Sequence, residues 1–275
     1  MTRIAVLQMT ADVDPDINSR VLVDAVERAA GEGAVMLFTP EMSGLLDRDR
    51  DRAGRRIVPE SDDPVLATMC EAAERFGVWI SLGSLAIARG DGHWANRAFV
   101  IDADGRIAAR YDKIHMFDVQ LATGESWRES SAYVAGQQVV TAVTPLGRLG
   151  ITICYDIRFP ALFEELGKRS CDVIAIPAAF TVPTGKAHWH LLQRARAVEA
   201  SAYIIAAAQV GAHVDGRHTY GHSLVVDPWG EVLLDMGGEA PGLAFAEIDQ
   251  ARVGEIRQQL PSLANRQPIP RSAAR

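Results

Sequence analysis

The sequence predicts one α/β domain built on mixed β-sheets. Short runs of β-branched and aliphatic residues alternate with amphipathic segments along the whole chain, which is typical of α/β proteins. Turn sequences at 103–105 and 227–230 each join two apolar runs, so some neighbouring strands are antiparallel. With 275 residues, 48% of them apolar, the chain can bury one large core.

In the first half, the elements follow from apolar runs and from capping residues. We predict strands at 3–9, 34–38 and 78–83, helices at about 17–30 and 64–76, and a hairpin of strands 97–102 and 106–111 around Ala103-Asp104-Gly105. The second helix begins with Asp63 as its N-cap and Pro64 at its first position, where both residue types are favoured. The segment 115–137 lacks periodicity and predicts a long functional loop.

The second half repeats the alternation and ends in a polar tail. We predict strands at 138–144, 149–154, 172–176 and 203–209, a helix from Pro160, a helix at 186–200, and a hairpin of 222–227 with 231–235. The tail from Pro261 contains three prolines and few apolar residues. We therefore predict a domain at 1–260 and a tail at 261–275 that lies on the surface or on a partner subunit.

Charge and composition exclude several classes of partner. A formal net charge of -7 and an isoelectric point near 5.5 offer no basic surface for nucleic acid or for an anionic membrane. No apolar run approaches membrane-spanning length, and no secretion signal precedes the first strand. We expect a cytoplasmic protein whose partner is a small molecule.

A metal or organic cofactor is not expected. The three cysteines are widely spaced, which argues against a disulfide framework and gives no C-x-x-C pair. The seven histidines form no H-E-x-x-H, and His188 and His190 point apart on a predicted helix.

Cys154 is the candidate nucleophile among the three cysteines. Cys70 falls in the apolar register of its helix, and Cys171 precedes a buried strand, so packing explains both. Cys154 ends the apolar run 149–153 and precedes a turn into the helix from Pro160. Such an elbow places a side chain beside free N–H groups and the positive end of a helix, which we expect to favour the thiolate. The residues alone also allow the alternative that Cys154 is a buried structural cysteine.

Three further residues could support a nucleophilic cysteine. Glu41 follows the strand 35–38 amid apolar neighbours, and we expect its carboxyl group to hold a proton more readily than in water. Lys113 follows the strand 107–111, and Glu129 lies in the long loop. Each of the three, taken singly, also fits an ordinary surface residue.

These residues lie in three segments that resemble the signatures of the nitrilase-type carbon–nitrogen hydrolases. The segments are Thr39-Pro40-Glu41, Tyr111 to His115 and Cys154 to Pro160, in the family's order and spacing. Segments 194–199 and 221–230 are also similar, so the resemblance extends from Ile4 to about Pro261. It implies a four-layer αββα sandwich and subunits that pair into homodimers or larger homo-oligomers.

The resemblance also implies a role for each candidate residue. Cys154 would attack a small linear amide, Glu41 would transfer protons, and Lys113 with the N–H of Tyr155 would stabilise the oxyanion. Glu129 would position Lys113 and the substrate. The products would be an acid and ammonia, formed through a thioester without a metal or cofactor.

The substrate is less sharply indicated. Segments 178–189 and 206–223 are similar to the deaminated-glutathione amidase branch; omega-amidases, which act on 2-oxoglutaramate, and N-carbamoyl amino acid hydrolases are alternatives. We expect an anionic amide, because several cations fall near these segments. The candidate substrate-binding residues are Arg158, Phe180, Thr181, Lys186 and Trp189, with Arg194, Arg196 and Arg217 as further cations.

Other functions are less well supported by the residues. A cysteine peptidase would need a histidine base, for which His188, His190 and His222 are candidates without a recognisable context. A serine hydrolase lacks its G-x-S-x-G elbow at 83–86, and a phosphate-binding loop is incomplete around 185–187. A binding or scaffold protein on the same fold is the non-enzyme alternative.

Overall fold

Two six-stranded sheets pack face to face and carry helices on their outer faces. The computed structural model describes residues 1–122, 124 and 126–270. Its helices are α1 (Pro15–Gly31), α2 (Arg50–Gly54), α3 (Pro64–Phe76), α4 (Pro160–Lys168), α5 (Val182–Ala200) and α6 (Gln250–Gln259). Its strands are β1 (Thr2–Gln8), β2 (Met36–Phe38), β3 (Trp79–Ala88), β4 (Trp94–Ile101), β5 (Ile107–Asp112), β6 (Asp118–Gln120), β7 (Ser126–Arg128), β8 (Thr141–Thr144), β9 (Gly147–Ile151), β10 (Val173–Ala175), β11 (Tyr203–Ala206), β12 (Val210–Ala212), β13 (His218–Tyr220), β14 (Leu224–Val226), β15 (Val232–Asp235) and β16 (Gly242–Ile248).

Both large sheets are mixed, as the sequence predicts. The first sheet has the order β16-β1-β2-β3-β4-β5, in which β1, β2 and β3 run parallel and the other pairs run antiparallel. The second has the order β15-β14-β11-β10-β9-β8, with β9, β10 and β11 parallel. The predicted Asp-Gly turn joins β4 to β5.

Alternation of side chains along the strands explains the four layers. Ile4 and Val6 of β1 pack between the two sheets, whereas Ala5 and Leu7 pack against α1 and α3. Because both faces of such a strand are buried, its sequence is a nearly continuous apolar run. Helices α4 and α5 cover the outer face of the second sheet. The predicted αββα sandwich is therefore confirmed.

The long helices begin where their capping residues predict. The side chain of Asp63 accepts a hydrogen bond of 2.9 Å from the N–H of Leu66, and Pro64 occupies the first position of α3. Gly77 ends α3 in the left-handed region, with φ 65°. Helix α5 begins at Val182, four residues before the predicted start, because Pro183 is tolerated in the first turn.

The prediction of an irregular loop at 115–137 was wrong. Strands β6 and β7 pair as a hairpin there, and a 3-10 helix follows at Glu129–Ser131. Strands of three residues are too short to show a period in the sequence. The sequence reasoning also missed β16 and α6; of the two, α6 has a low apolar content.

The described part of the tail runs along the protein surface. Arg266 Nη1 donates a hydrogen bond of 3.0 Å to the carbonyl oxygen of Glu164 in α4. Residues 271–275 of the predicted tail lie outside the described residues. No helix within residues 1–122, 124 and 126–270 combines the length and hydropathy needed to cross a bilayer.

A close backbone approach fixes the turn that follows β2. A Cβ atom at Gly83 would lie 2.1 Å from the carbonyl oxygen of Thr39 and 2.3 Å from that of Pro40. The N–H of Gly83 donates to the Thr39 hydroxyl oxygen at 3.0 Å. Only glycine lets β3 contact this turn, which carries Glu41.

We expect Gly83→Ala to destabilise the protein by about 1–3 kcal/mol, because the new methyl group must push the 39–41 turn away. Chemical denaturation followed by circular dichroism measures this change. Gly31→Ala is the matched control: no atom lies within 4 Å of the position that its new methyl group would take, and alanine is favoured in a helix by up to about 1 kcal/mol. Equal stability of the two variants would contradict the proposed role of Gly83.

Candidate active site

Three of the predicted site residues follow strand ends and meet between the two sheets. Glu41 comes three residues after β2, Lys113 comes directly after β5, and Cys154 comes three residues after β9. All three side chains are buried and line one cavity of about 730 Å³. Strand ends that meet at one edge of a sheet are a common location for binding sites in α/β proteins.

Lys113 is a buried cation held between two carboxylates. Its side chain is 2% exposed, and Nζ lies 2.9 Å from Glu41 Oε1 and 2.9 Å from Glu129 Oε2. Burial alone would lower the pKa of Lys113, but the charges of Glu129 and Glu41 outweigh it and raise that pKa well above its usual value. The ammonium group therefore stays charged at neutral pH.

Glu41 is ionised, contrary to the expectation from its sequence neighbours. Burial opposes the charge, but the ammonium of Lys113 and hydrogen bonds from Lys113, Cys154 and Asn96 together lower the pKa of the carboxyl group. Oε1 accepts from Asn96 Nδ2 at 2.9 Å, and Oε2 accepts from the N–H of Ala179 at 2.9 Å. The carboxylate is thus a base in the resting site.

Cys154 sits in a strained elbow and carries a neutral thiol. Its φ is 47°, which is uncommon for a residue other than glycine. It opens the 3-10 helix Cys154–Arg158, and its N–H donates to the carbonyl oxygen of Pro177 at 2.8 Å. Burial and the neighbouring Glu41 carboxylate raise the thiol pKa well above its usual value. The expected thiolate was therefore wrong, because burial and the Glu41 carboxylate together outweigh the charge of Lys113 in setting the thiol pKa.

Asp156 connects the cysteine elbow to the strand that carries Lys113. Its fully buried carboxylate accepts hydrogen bonds from Tyr111 Oη at 2.7 Å and from the N–H of Ile153 at 2.9 Å. His115 adds contacts through Nδ1 at 2.7 Å and through its N–H at 3.1 Å. Two of the three sequence signatures are therefore locked together by one side chain.

Glu129 and Asn96 complete the polar floor of the cavity. Glu129 Oε2 accepts from the N–H of Phe117 at 2.6 Å, so the residue is fixed rather than solvated. Asn96 Nδ2 donates to Glu41 at 2.9 Å and to Glu129 at 3.1 Å. Sequence reasoning missed Asn96, although a polar residue in the inward register of Ala98 and Val100 was the available signal.

Three of the six other site candidates line the cavity. Tyr155, Phe180 and Thr181 do so. Arg158 does not; its guanidinium stacks over Tyr155 and Phe180 from behind, at 5.9 and 5.2 Å from the ring centroids. Lys186 is exposed on α5 outside the cavity, and Trp189 is fully buried, where its Nε1 donates to the carbonyl oxygen of His222 at 2.8 Å. The structure therefore places Arg158, Lys186 and Trp189 outside the cavity lining.

Two of the three further cations make structural contacts, and the third lines the cavity. Arg194 donates to the carbonyl oxygen of Gly230, and Arg196 pairs with Glu199 at 2.6 Å, so both are structural. Arg217 lines the cavity. Sequence reasoning missed three further arginines that line it: Arg48, Arg50 and Arg128.

The histidines lie away from the thiol. His190 and His222 both contact Asp235, at 3.0 and 2.9 Å, and His188 contacts Arg158. None of these three histidines lines the cavity. His190, His222 and Asp235 bring their possible ligand atoms within 4.8 Å of one another, but their short contacts are those of an Asp–His hydrogen-bond network.

Comparisons with known proteins agree with this geometry. A family model described as carbon-nitrogen hydrolase matches residues 3–258. Deaminated glutathione amidase from Synechocystis sp. is 40% identical over 267 residues, which cover 95% of this chain and 97% of that protein.

Solved structures share the fold. The NitFhit protein of C. elegans superposes with a TM-score of 0.89 at 37% identity, over 97% of this chain and 65% of that one. A mutant amidase from Nesterenkonia sp. AN1, whose active-site cysteine has added acrylamide, gives a TM-score of 0.79 at 27% identity over 94% of this chain and 98% of that one.

We expect no cysteine of the folded protein to ionise near neutral pH, since burial raises the thiol pKa of Cys70, Cys154 and Cys171 above its ordinary value. Thiolate absorbance in the ultraviolet, followed against pH, measures this. Cys154→Ala is the reference protein. A step near neutral pH that this variant lacks would show that the resting nucleophile is a thiolate.

Proposed function

This chain belongs to the carbon–nitrogen hydrolase family, and on that premise we propose that it is an amidase acting on deaminated glutathione through a thioester on Cys154. It acts on carbon–nitrogen bonds other than peptide bonds. One observation carries the proposed chemistry: the buried ammonium of Lys113 lies between the carboxylates of Glu41 and Glu129, and the thiol of Cys154 lines the same cavity.

In the proposed acylation, Glu41 removes the thiol proton of Cys154 as the sulfur attacks the amide carbon. Charge then develops on the carbonyl oxygen. The ammonium of Lys113 and the N–H of Tyr155, in the first turn of the 3-10 helix, receive it; such a donor is worth about 3–4 kcal/mol in the transition state. Glu41 returns its proton to the leaving nitrogen, the carbon–nitrogen bond breaks, and a thioester remains.

Deacylation reverses these roles with water. Glu41, again a carboxylate, removes a proton from a water molecule that attacks the thioester carbon. The same donors stabilise the second oxyanion. The carbon–sulfur bond then breaks, the proton passes from Glu41 to sulfur, and the acid leaves. Glu129 holds Lys113 in position throughout.

The choice of substrate is supported by the relatives and by the charge of the cavity. Several relatives are deaminated glutathione amidases, at 34–40% identity. Deaminated glutathione carries two carboxylates, and four arginines line the cavity: Arg48, Arg50, Arg128 and Arg217. Its amide nitrogen belongs to cysteinylglycine, so an amine leaves in place of the ammonia that a primary amide such as 2-oxoglutaramate releases.

We further propose a cytoplasmic location and a homodimer. Cys70, Cys154 and Cys171 are free thiols, which suits a reducing compartment. Exposed apolar side chains on α5, the adjoining turn and edge strand β15 form one face: Leu191, Val198, Trp229 and Leu233. Arg194 Nε donates to the carbonyl oxygen of Gly230 at 2.7 Å, which holds the turn against α5. A second copy would cover this face and the strand edge.

For the catalytic assignment, we expect Cys154→Ala to fold normally and to lose activity by about 10³-fold or more, because no other group can form the thioester. Glu41→Gln should reduce activity by a similar factor. Release of cysteinylglycine from deaminated glutathione measures turnover, and intact-protein mass spectrometry detects the acyl adduct. His222→Ala is the control for a histidine-based mechanism; loss of the adduct in that variant but not in Glu41→Gln would contradict the assignment.

The same assay separates substrates. Deaminated glutathione, 2-oxoglutaramate and an N-carbamoyl amino acid are compared by kcat/KM. We expect the first to be preferred by about tenfold or more, since it alone of the three carries a carboxylate at both ends of an elongated molecule. Equal rates would contradict the substrate but not the reaction class.

For the homodimer, we expect Leu233→Glu to produce monomers, because it places a charge in the apolar face. Light scattering after size-exclusion chromatography measures the mass. Val143→Glu is the matched control, as Val143 is 73% exposed on β8, the opposite edge strand of the same sheet. A monomeric wild-type protein would contradict the proposal.

A further inference from the structure

The hairpin of β6 and β7 brings a tryptophan to the cavity wall with an unsatisfied donor. Trp127 of β7 lines the cavity. Its indole Nε1 is buried, and no hydrogen-bond acceptor for it is found among residues 1–122, 124 and 126–270. This nitrogen is also closed to a water-sized atom, so the part of Trp127 that the cavity exposes is its aromatic ring.

Arg217 is held beside the same indole ring. Its guanidinium carbon lies 5.1 Å from the Trp127 ring centroid. Nε donates to Asp215 Oδ2 at 2.7 Å, and the Asp215 side chain is fully buried. The arginine side chain is only 16% exposed. One edge of the guanidinium is therefore fixed by Asp215, while its remaining N–H groups are available to the cavity that Arg217 lines.

Arg48 brings a second guanidinium to this ring. Its guanidinium carbon lies 5.9 Å from the Trp127 ring centroid, and its backbone N–H donates to Asp215 Oδ2 at 2.9 Å. Within the described part of the chain, no carboxylate pairs with the Arg48 side chain. Asp215 thus organises both arginines, and the nearby carboxylate of Asp47, which also interacts with the charge of Arg217, is paired with Arg52 at 2.6 Å.

We propose that Trp127, Arg48 and Arg217 form a subsite for a substrate carboxylate remote from the scissile amide. A carboxylate would accept the guanidinium N–H groups of Arg48 and Arg217 beside the Trp127 ring. The inference rests on the proposed amidase function and names the residues that select its anionic substrate. The carboxylate belongs either to the oxoacid side or to the glycine end of deaminated glutathione.

Kinetics on a charged and a neutral amide test this subsite. Trp127→Ala removes the ring beside which both guanidinium groups lie, and Arg217→Gln removes one positive charge. For each variant we expect KM for deaminated glutathione to rise about tenfold or more, with kcat changed little. KM for butyramide, which has no carboxylate, should stay as in the wild type. Arg217→Lys should recover part of the loss.

The control is Arg106→Gln, because Arg106 is 77% exposed in the β4–β5 turn and lies outside the cavity. It should leave both substrates unaffected. A parallel rise of KM for butyramide, or an equal fall of kcat on both amides, would show that Trp127 and Arg217 only maintain the fold, and would overturn the subsite.

Binding to the inactive Cys154→Ala protein tests the subsite independently of turnover. Calorimetric titrations with 2-oxoglutarate and with cysteinylglycine present the two carboxylates separately. Adding Arg217→Gln should weaken binding of one of them, which identifies the end that is recognised. Unchanged binding of both would overturn the subsite, whereas a wild-type enzyme inactive on every amide would instead refute the proposed function.

Discussion

The site depends on one buried ammonium shared by two carboxylates. Placing Lys113 in the interior is unfavourable unless its charge is compensated, and Glu41 with Glu129 supplies more than one countercharge. The excess negative charge has a chemical result. It keeps the thiol of Cys154 protonated, while Lys113 keeps Glu41 ionised. In the resting state, the protonated thiol of Cys154 therefore lies beside the ionised carboxylate of Glu41. The ammonium of Lys113 already faces the position where an oxyanion would form.

The two sheets hold this cluster because distant segments are tied together by specific contacts. Asp156 joins the elbow after β9 to the end of β5, and the close approach at Gly83 sets the turn after β2. Asn96 bridges both carboxylates from β4. These contacts are short and directional, so the relative positions of acid, base and amine are fixed before a substrate arrives.

Local sequence patterns predicted much of the fold. The prediction was limited by contacts between residues that are distant in the sequence. The alternation of apolar runs with amphipathic segments, together with capping residues such as Asp63, was sufficient to predict the main strands and helices. The positions of Glu41, Lys113 and Cys154 after strand ends, together with the family resemblance, were sufficient to predict that these three residues lie near one another. The direction of two pKa shifts was wrong, because the pKa depends on which groups meet. The positions of Trp189 and Lys186 could not be predicted for the same reason: helix α5 directs Trp189 into the core and Lys186 to solvent. Trp127 lies in a hairpin too short to recognise.

The positive φ of Cys154 has a cost for the whole molecule. A residue with a Cβ atom held in this region loses about 1–3 kcal/mol relative to relaxed backbone, and the Asp156 hydrogen bonds must offset that loss. Selection for thermal resistance alone would favour glycine at this elbow. The retained side chain of Cys154 indicates that conformational stability is given up for reactivity. The backbone torsion φ of this one residue sets the size of that loss.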